Sequence, residues 1–242
     1  MKIAILISGE PRFGVNTDSQ FTKFENCQVD WFFYLWKNNP YGIDLGYVSP
    51  KWNNYNDDWA INEIRNRLPI GNNLIAFKSG NQSDYLVPQG IENCPNKNSD
   101  RIWSMYNAIY QADLLRRDYE KNSSPYDLVI RSRPDLDLNG KIDLLAIKQK
   151  LEEHSNRVFT PNTNQHGFEY KMNDMFAISS PKMMSIYCSA VIRLMEYHQT
   201  DNICFHPETL LAYHLHKNNI EITNFPFPLD VSIRNSSFGS WA

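Results

Sequence analysis

The sequence predicts an α/β fold in which helices flank a central, mostly parallel mixed sheet. Short apolar runs with strand character recur along the chain, and segments with helical period lie between most of them. The 242 residues, 42% of them hydrophobic, are enough for one well-buried domain. The seven predicted strands are 2–8, 29–36, 73–79, 126–133, 157–161, 174–179 and 221–227.

Three segments have the period of amphipathic helices. They span 101–121, 180–199 and 206–219. The first places five apolar side chains on one stripe: Ile102, Met105, Ile109, Ala112 and Leu115. Ser99 or Asp100 is its expected N-cap, and Pro207 suits the first turn of the third helix.

Composition excludes several classes of protein. A net charge of −3 and a pI near 6.1 provide no basic field for nucleic acid. The opening residues lack a cleavage-like site, and no stretch approaches the ~20 apolar residues of a membrane span, so we expect a soluble, cytoplasmic protein. The four cysteines form no metal or redox motif, and we expect buried free thiols at Cys27, Cys94, Cys188 and Cys204.

Two long segments are rich in turn formers and aromatic residues. They are 37–58 and 83–100. Loops of this length in a compact domain are usually functional or disordered, and their tyrosines and tryptophans favour a functional role.

The stretch "RSRPDLDL", 131–138, follows a buried strand and carries alternating charges. Strand alternation gives one face the charged residues Arg131, Arg133, Asp135 and Asp137. It gives the other face the apolar residues Ile130, Leu136 and Leu138. Pro134 should end the regular strand pairing. Asp135 and Asp137 would then suit one hard divalent cation, although a solvated ladder of ion pairs explains the same pattern.

Four motifs in order carry a resemblance to a known class. "SMYNAIYQADLL", "YDLVIRSRPDLDL", "NDMFAIS" and "HPETLLAYHL" together resemble the GT-A class of nucleotide-sugar glycosyltransferases, closest to WavE-like polysaccharide-synthesis types of bacteria and viruses. The resemblance implies one GT-A-like (Rossmann-like) domain over 1–242, with a nucleotide-binding half, 1–138, and an acceptor-side half, 139–242. It implies a hexosyltransferase that moves a sugar from a nucleoside-diphosphate sugar to a glycan hydroxyl.

The same resemblance implies where the donor binds. Asp135 and Asp137 match the D-x-D that holds Mn²⁺ or Mg²⁺ against the diphosphate, and His206 is a candidate third ligand. The loop after the first strand would lie beneath the nucleotide through Ser8, Gly9 and Arg12, since glycine permits close backbone approach and arginine suits phosphate.

Further residues have expected roles beside the donor. Tyr106 and Asn107 are candidates to flank the nucleotide. Glu208 matches a glutamate that faces the sugar, and Asp174 is the second candidate catalytic acid. Acceptor contacts are expected from the aromatic loops.

The two arginines are expected to orient and compensate the aspartates. Arg133 lies nearer the edge and should contribute more to nucleotide binding. Arg131 lies deeper, where we expect it to compensate a buried acidic partner.

Two other functions remain open on the sequence. The loop "SGEPRFG" has a faint similarity to the glycine-rich loop of nucleotidylyltransferases, but it lacks their second and third glycines. A non-catalytic carbohydrate-binding module, with aromatic side chains that stack on sugars, is the alternative from a different class.

Overall fold

The computed structural model describes residues 1–11, 24, 27–37, 52, 55–85, 88–91, 99–161, 170 and 172–233. The strands are β1 (Lys2–Gly9), β2 (Gln28–Trp36), β3 (Asn72–Gly80), β4 (Leu128–Ser132), β5 (Leu136–Asn139), β6 (Arg157–Thr160), β7 (Ala177–Ser179), β8 (Glu221–Asn224) and β9 (Asp230–Ile233). The helices are α1 (Asp57–Arg67), α2 (Ser99–Glu120), α3 (Leu144–Glu153), α4 (Pro181–Cys188), α5 (Leu194–Gln199) and α6 (Pro207–Lys217). Short 3₁₀ helices lie at Gln82–Asp84 and Ser189–Ile192.

A seven-stranded, mostly parallel sheet forms the centre of the described structure. Its strand order is β3-β2-β1-β4-β7-β6-β8. Of these strands only β7 runs antiparallel to its neighbours, so the other six point the same way. The predicted α/β class, with a mostly parallel mixed sheet, is confirmed.

Helices cover both faces of this sheet. Residues of α2, α4, α5 and α6 pack on the face that carries Leu6, Phe32 and Val129. Residues of α1 and α3 pack on the face that carries Ile5 and Phe33. Because both faces are buried, the central strands are continuous apolar runs, as parallel strands require.

The predicted elements correspond closely to the observed ones, with differences at their ends. Helix α2 begins at Ser99, so both candidate N-caps lie inside its first turn. The segment 180–199 divides into two helices joined by 3₁₀ geometry. Among the described helices, none combines the length and the apolar character that crossing a bilayer requires.

The expectation of buried thiols is only partly correct. Cys188 is buried, Cys27 is half-buried and Cys204 is exposed. Cys94 lies outside the described residues. Cys204 precedes α6 by only a few residues, in a connection that runs over the surface, which is why its side chain reaches solvent.

The chain leaves the central sheet at the turn that contains Pro134. Strand β4 ends at Ser132, one residue before the end of the predicted strand and two before Pro134, and β5 pairs with β9 in a separate two-stranded sheet. Ile130, Leu136 and Leu138 pack in one hydrophobic cluster, so their predicted common side is confirmed. The charged residues do not form a continuous ladder, because the turn interrupts the alternation.

Candidate functional site

The carboxyl ends of β1 and β4 lie side by side at the centre of the sheet. The chain leaves β1 towards β2 on one side, while β4 lies on the other, so this is the topological switch point. Open α/β sheets bind ligands in the crevice outside such a point. Gly9 has a φ of 115°, and a Cβ built there would lie 4.0 Å from Pro134 Cδ. The loop after β1 therefore adjoins the turn after β4.

Arg133 and Asp135 form an ion pair across that turn. Arg133 Nε donates to Asp135 Oδ1 at 2.9 Å, and Nη2 donates to Oδ2 at 2.8 Å. The Asp135 side chain is 0% exposed, whereas that of Arg133 is 20% exposed. Burial opposes the charge of Arg133, but the carboxylates of Asp135, Asp174 and Glu10 outweigh it and raise the arginine pKa. The two groups form a bidentate fork, and part of the arginine side chain reaches solvent.

Arg131 lies one layer beneath that fork. It is 1% exposed, and its Nη1 donates to the backbone carbonyl of Asp174. Its Nε and Nη2 atoms are buried and have no hydrogen-bond partner among the described residues. The expected acidic partner of Arg131 is thus wrong, since a neutral carbonyl takes that place. A buried guanidinium with two unused donors is unusual and calls for an explanation.

Asp174 lies in a bend before β7, and not at the start of a strand as predicted. Strand β7 begins at Ala177, opposite Arg131 of β4. Because β7 is antiparallel, the bend before it lies at the same sheet edge as the end of β4. The Asp174 carbonyl also accepts a hydrogen bond from the Tyr187 hydroxyl at 3.3 Å.

The first turn of α6 brings a titratable carboxyl to this edge. Burial, and then the negative charge of Asp174, raise the pKa of Glu208 to about 7. His206 Nδ1 lies 4.0 Å from Glu208 Oε2, beyond hydrogen-bond range, and burial lowers the pKa of His206. Thr209 Oγ1 is buried and forms no hydrogen bond within the described residues. A glutamate of this pKa can accept or release a proton near neutral pH.

Tyr106 ties helix α2 to helix α6. Its hydroxyl donates to the Pro207 carbonyl at 2.6 Å, and its ring is fully buried. Burial, followed by the charge of Asp174, raises its pKa well above the ordinary value. Tyr106 therefore holds the first turn of α6 in place from within the core.

The two aspartates of the predicted D-x-D pair have different surroundings in this arrangement. Both oxygens of Asp135 are held by Arg133, and Asp137 lies on β5, between the buried Leu136 and Leu138 and so on the opposite side of that strand. Within the described residues no three acidic, histidine or cysteine side chains converge as metal ligands. The residues present therefore fit Mn²⁺ or Mg²⁺ poorly.

The structure brings most of the predicted site residues to one edge. These are Ser8, Gly9, Arg133, Asp135, Asp174, His206 and Glu208. Asn107 is buried, and its side chain donates to Trp103 O of its own helix. Arg12 lies outside the described residues.

Sequence reasoning missed three contributors. Tyr187 and Thr209 occur in helical patterns that indicate ordinary packing. Glu10 lies in the loop "SGEPRFG", where nothing in the local sequence indicates that its carboxylate acts on Arg133. Strand order was the signal that could have found them, since it decides which loops share an edge.

A concave surface lies along α1, apart from this edge. Trp52, Trp59, Glu63 and Arg67 line a cleft of about 330 Å³. The two indole centroids are 4.9 Å apart, and Arg67 Nη2 donates to Glu63 Oε1 at 2.7 Å. Within the aromatic segment 37–58 the structure describes Lys37, Trp52 and 55–58.

The chain matches no protein-family model, and no curated protein matches it significantly in sequence.

Proposed function

We propose that this protein is a GT-A-like glycosyltransferase that binds a nucleoside-diphosphate sugar at the β1/β4 edge. The observation that carries the proposal is the meeting of phosphate-compatible and acid–base groups at the switch point of the sheet. Ser8 and Gly9 end β1, and Arg133 follows β4. Glu208 approaches from α6, close enough for Asp174 to influence its pKa.

The proposed chemistry divides between the two sides of the edge. Arg133 offsets the negative charge of the leaving diphosphate as the bond from sugar carbon to phosphate oxygen breaks. Glu208 in its ionised form accepts the proton of the acceptor hydroxyl, whose oxygen forms the new bond to the sugar carbon. Near pH 7 a carboxyl with a pKa of about 7 is roughly half ionised, so both protonation states are available.

The aromatic cleft on α1 supports the acceptor part of the proposal. Trp52 and Trp59 offer apolar ring surface, and the Glu63–Arg67 pair offers polar groups beside it. Sites for small polar ligands combine these features. The cleft lies on the face of the sheet that α1 covers, opposite α6, so we assign it to a distant part of the glycan acceptor and not to the hydroxyl that Glu208 would deprotonate.

A donor screen tests the proposal. The protein is incubated with a panel of UDP- and GDP-sugars and mixed oligosaccharide acceptors, and release of UDP or GDP is measured. Acceptor-stimulated release that is lost in Glu208→Gln is expected. Pyrophosphate release from a sugar 1-phosphate and a nucleoside triphosphate would instead favour a nucleotidylyltransferase. Glycan binding without any nucleotide binding would favour a carbohydrate-binding module.

The metal requirement that the resemblance implies is an expectation from the sequence alone. It is separate from the proposal above, which assigns no step to a metal.

A further inference from the structure

We infer that Arg133 takes the place of a divalent cation at this site, so that the donor diphosphate binds without Mn²⁺ or Mg²⁺. The inference rests on the proposed function, because it names how the same edge recognises its ligand. It starts from a disagreement between the sequence motif, which is typical of metal binding, and the contacts that Asp135 makes.

Asp135 is already neutralised by an internal cation. Arg133 contacts both carboxylate oxygens, at 2.9 and 2.8 Å, and the carboxylate has no exposed surface. A metal ion that approached these oxygens would meet the guanidinium charge at hydrogen-bond distance. It would also have to lose its hydration shell to reach a buried group, which Mg²⁺ does reluctantly.

The arginine end of the pair is suited to an anion. Nε and Nη2 serve Asp135, so Nη1 lies on the far side of the planar guanidinium. The side chain keeps 20% of its surface exposed, so a ligand at the β1/β4 edge can reach part of it. Arginine binds phosphate oxygens through charge-assisted hydrogen bonds without help from a metal.

Arg131 supplies positive charge from below. It forms no ion pair among the described residues, and its one hydrogen-bond acceptor is an uncharged carbonyl. A buried charge of this kind is costly unless something opposes it. The negative charge of a diphosphate above the Arg133–Asp135 fork would oppose it, at a distance and without direct contact.

Calorimetric titration with UDP and with GDP tests the inference, once in excess EDTA and once in excess MnCl₂. The parent protein should bind one of these nucleotides with the same affinity in both buffers. Arg133→Ala should weaken binding in EDTA about tenfold or more, the scale for loss of a charged hydrogen bond. Manganese should restore binding to Arg133→Ala, because Asp135 is then available to a cation.

Two further variants protect the test against a folding defect. The double variant Arg133→Ala, Asp135→Asn removes both charges and leaves no orphaned carboxylate. It should bind the nucleotide weakly in both buffers, because the arginine is absent and manganese has no Asp135 carboxylate to bind. Arg157→Ala removes an arginine–glutamate pair at the opposite edge of the sheet, where β6 begins, and should bind like the parent. Circular dichroism confirms that each variant is folded.

The outcomes separate this inference from the proposed function. Parent binding that requires manganese would overturn the inference and leave the glycosyltransferase proposal intact. Arg133→Ala that binds like the parent in EDTA would also overturn it. Absence of UDP and GDP binding in either buffer would contradict both.

Discussion

Replacing Glu208 by glutamine should change how the stability of the protein depends on pH. Glutamine has nearly the same shape but cannot ionise. The Glu208 side chain is 14% exposed, and its pKa is raised from 4.5 to about 7 by burial and by the charge of Asp174. The native state therefore holds the proton more tightly than the unfolded chain does.

The sign and size of the effect follow from this difference. Below pH 4.5 both states are protonated, and the carboxyl imposes no electrostatic cost. As pH rises from 4.5 to 7 the unfolded state ionises first, so the parent loses stability; above pH 7 the loss is constant. Each tenfold change in ionisation equilibrium is worth about 1.4 kcal/mol, so the full cost is about 3 kcal/mol. The Glu208→Gln variant should not lose this stability, because glutamine does not ionise.

Chemical unfolding of parent and variant at pH 5 and pH 8 measures this. The free energy of unfolding of Glu208→Gln minus that of the parent should be about 2–3 kcal/mol larger at pH 8 than at pH 5, because only the parent loses stability over this range. Glu152→Gln, at an exposed position of α3, is the control, and its difference from the parent should not change between the two pH values. An equal difference for Glu208→Gln at both pH values would refute the raised pKa and, with it, the physical basis for proton transfer by this residue.

Three other substitutions test the supporting structure. Arg131→Met should raise the melting temperature, because an apolar side chain replaces a buried charge that has no ion pair, yet it should weaken UDP or GDP binding. A fall in both the melting temperature and the nucleotide affinity would show that Arg131 is needed for folding alone. Tyr106→Phe removes the hydrogen bond to Pro207 and should lower the free energy of unfolding by about 1 kcal/mol, measured in urea, and an unchanged midpoint would mean that water replaces the hydroxyl. Gly9→Ala should cost about 1–3 kcal/mol in the same assay, because a φ of 115° strains any residue with a Cβ even where space is available, and a neutral result would mean that the loop adopts another backbone conformation.

Much of the sheet was predictable because its strands are buried on both faces. Continuous apolar runs such as that of β1 have few alternatives, and Pro134 marks the end of β4 by its chemistry alone. The location of Ser8 and Asp135 at one edge followed from the rule that parallel strands share their carboxyl ends.

The contacts within the site were not predictable in the same way. Arg133 and Asp135 were expected on one face of a strand, but they form a fork because the chain turns at Pro134. The approach of Glu208 depends on β7 running antiparallel, which places Asp174 at the edge, and on the packing of α6 against α2. These are tertiary facts that no local pattern contains.

The central position of β1 has a consequence for how the protein acquires its site. This strand pairs with residues 28–36 on one side and with 128–132 on the other, and the Lys2 amide donates to the Asp127 carboxylate, which lies 125 residues further along the chain. Each such pairing requires the closure of a long loop, whose entropy cost comes before any stabilising contact forms, and this is typical of slow folding. The groups at the β1/β4 edge come from distant parts of the chain, so the nucleotide affinity that we propose should appear only in the last, cooperative phase of refolding, together with the docking of α6.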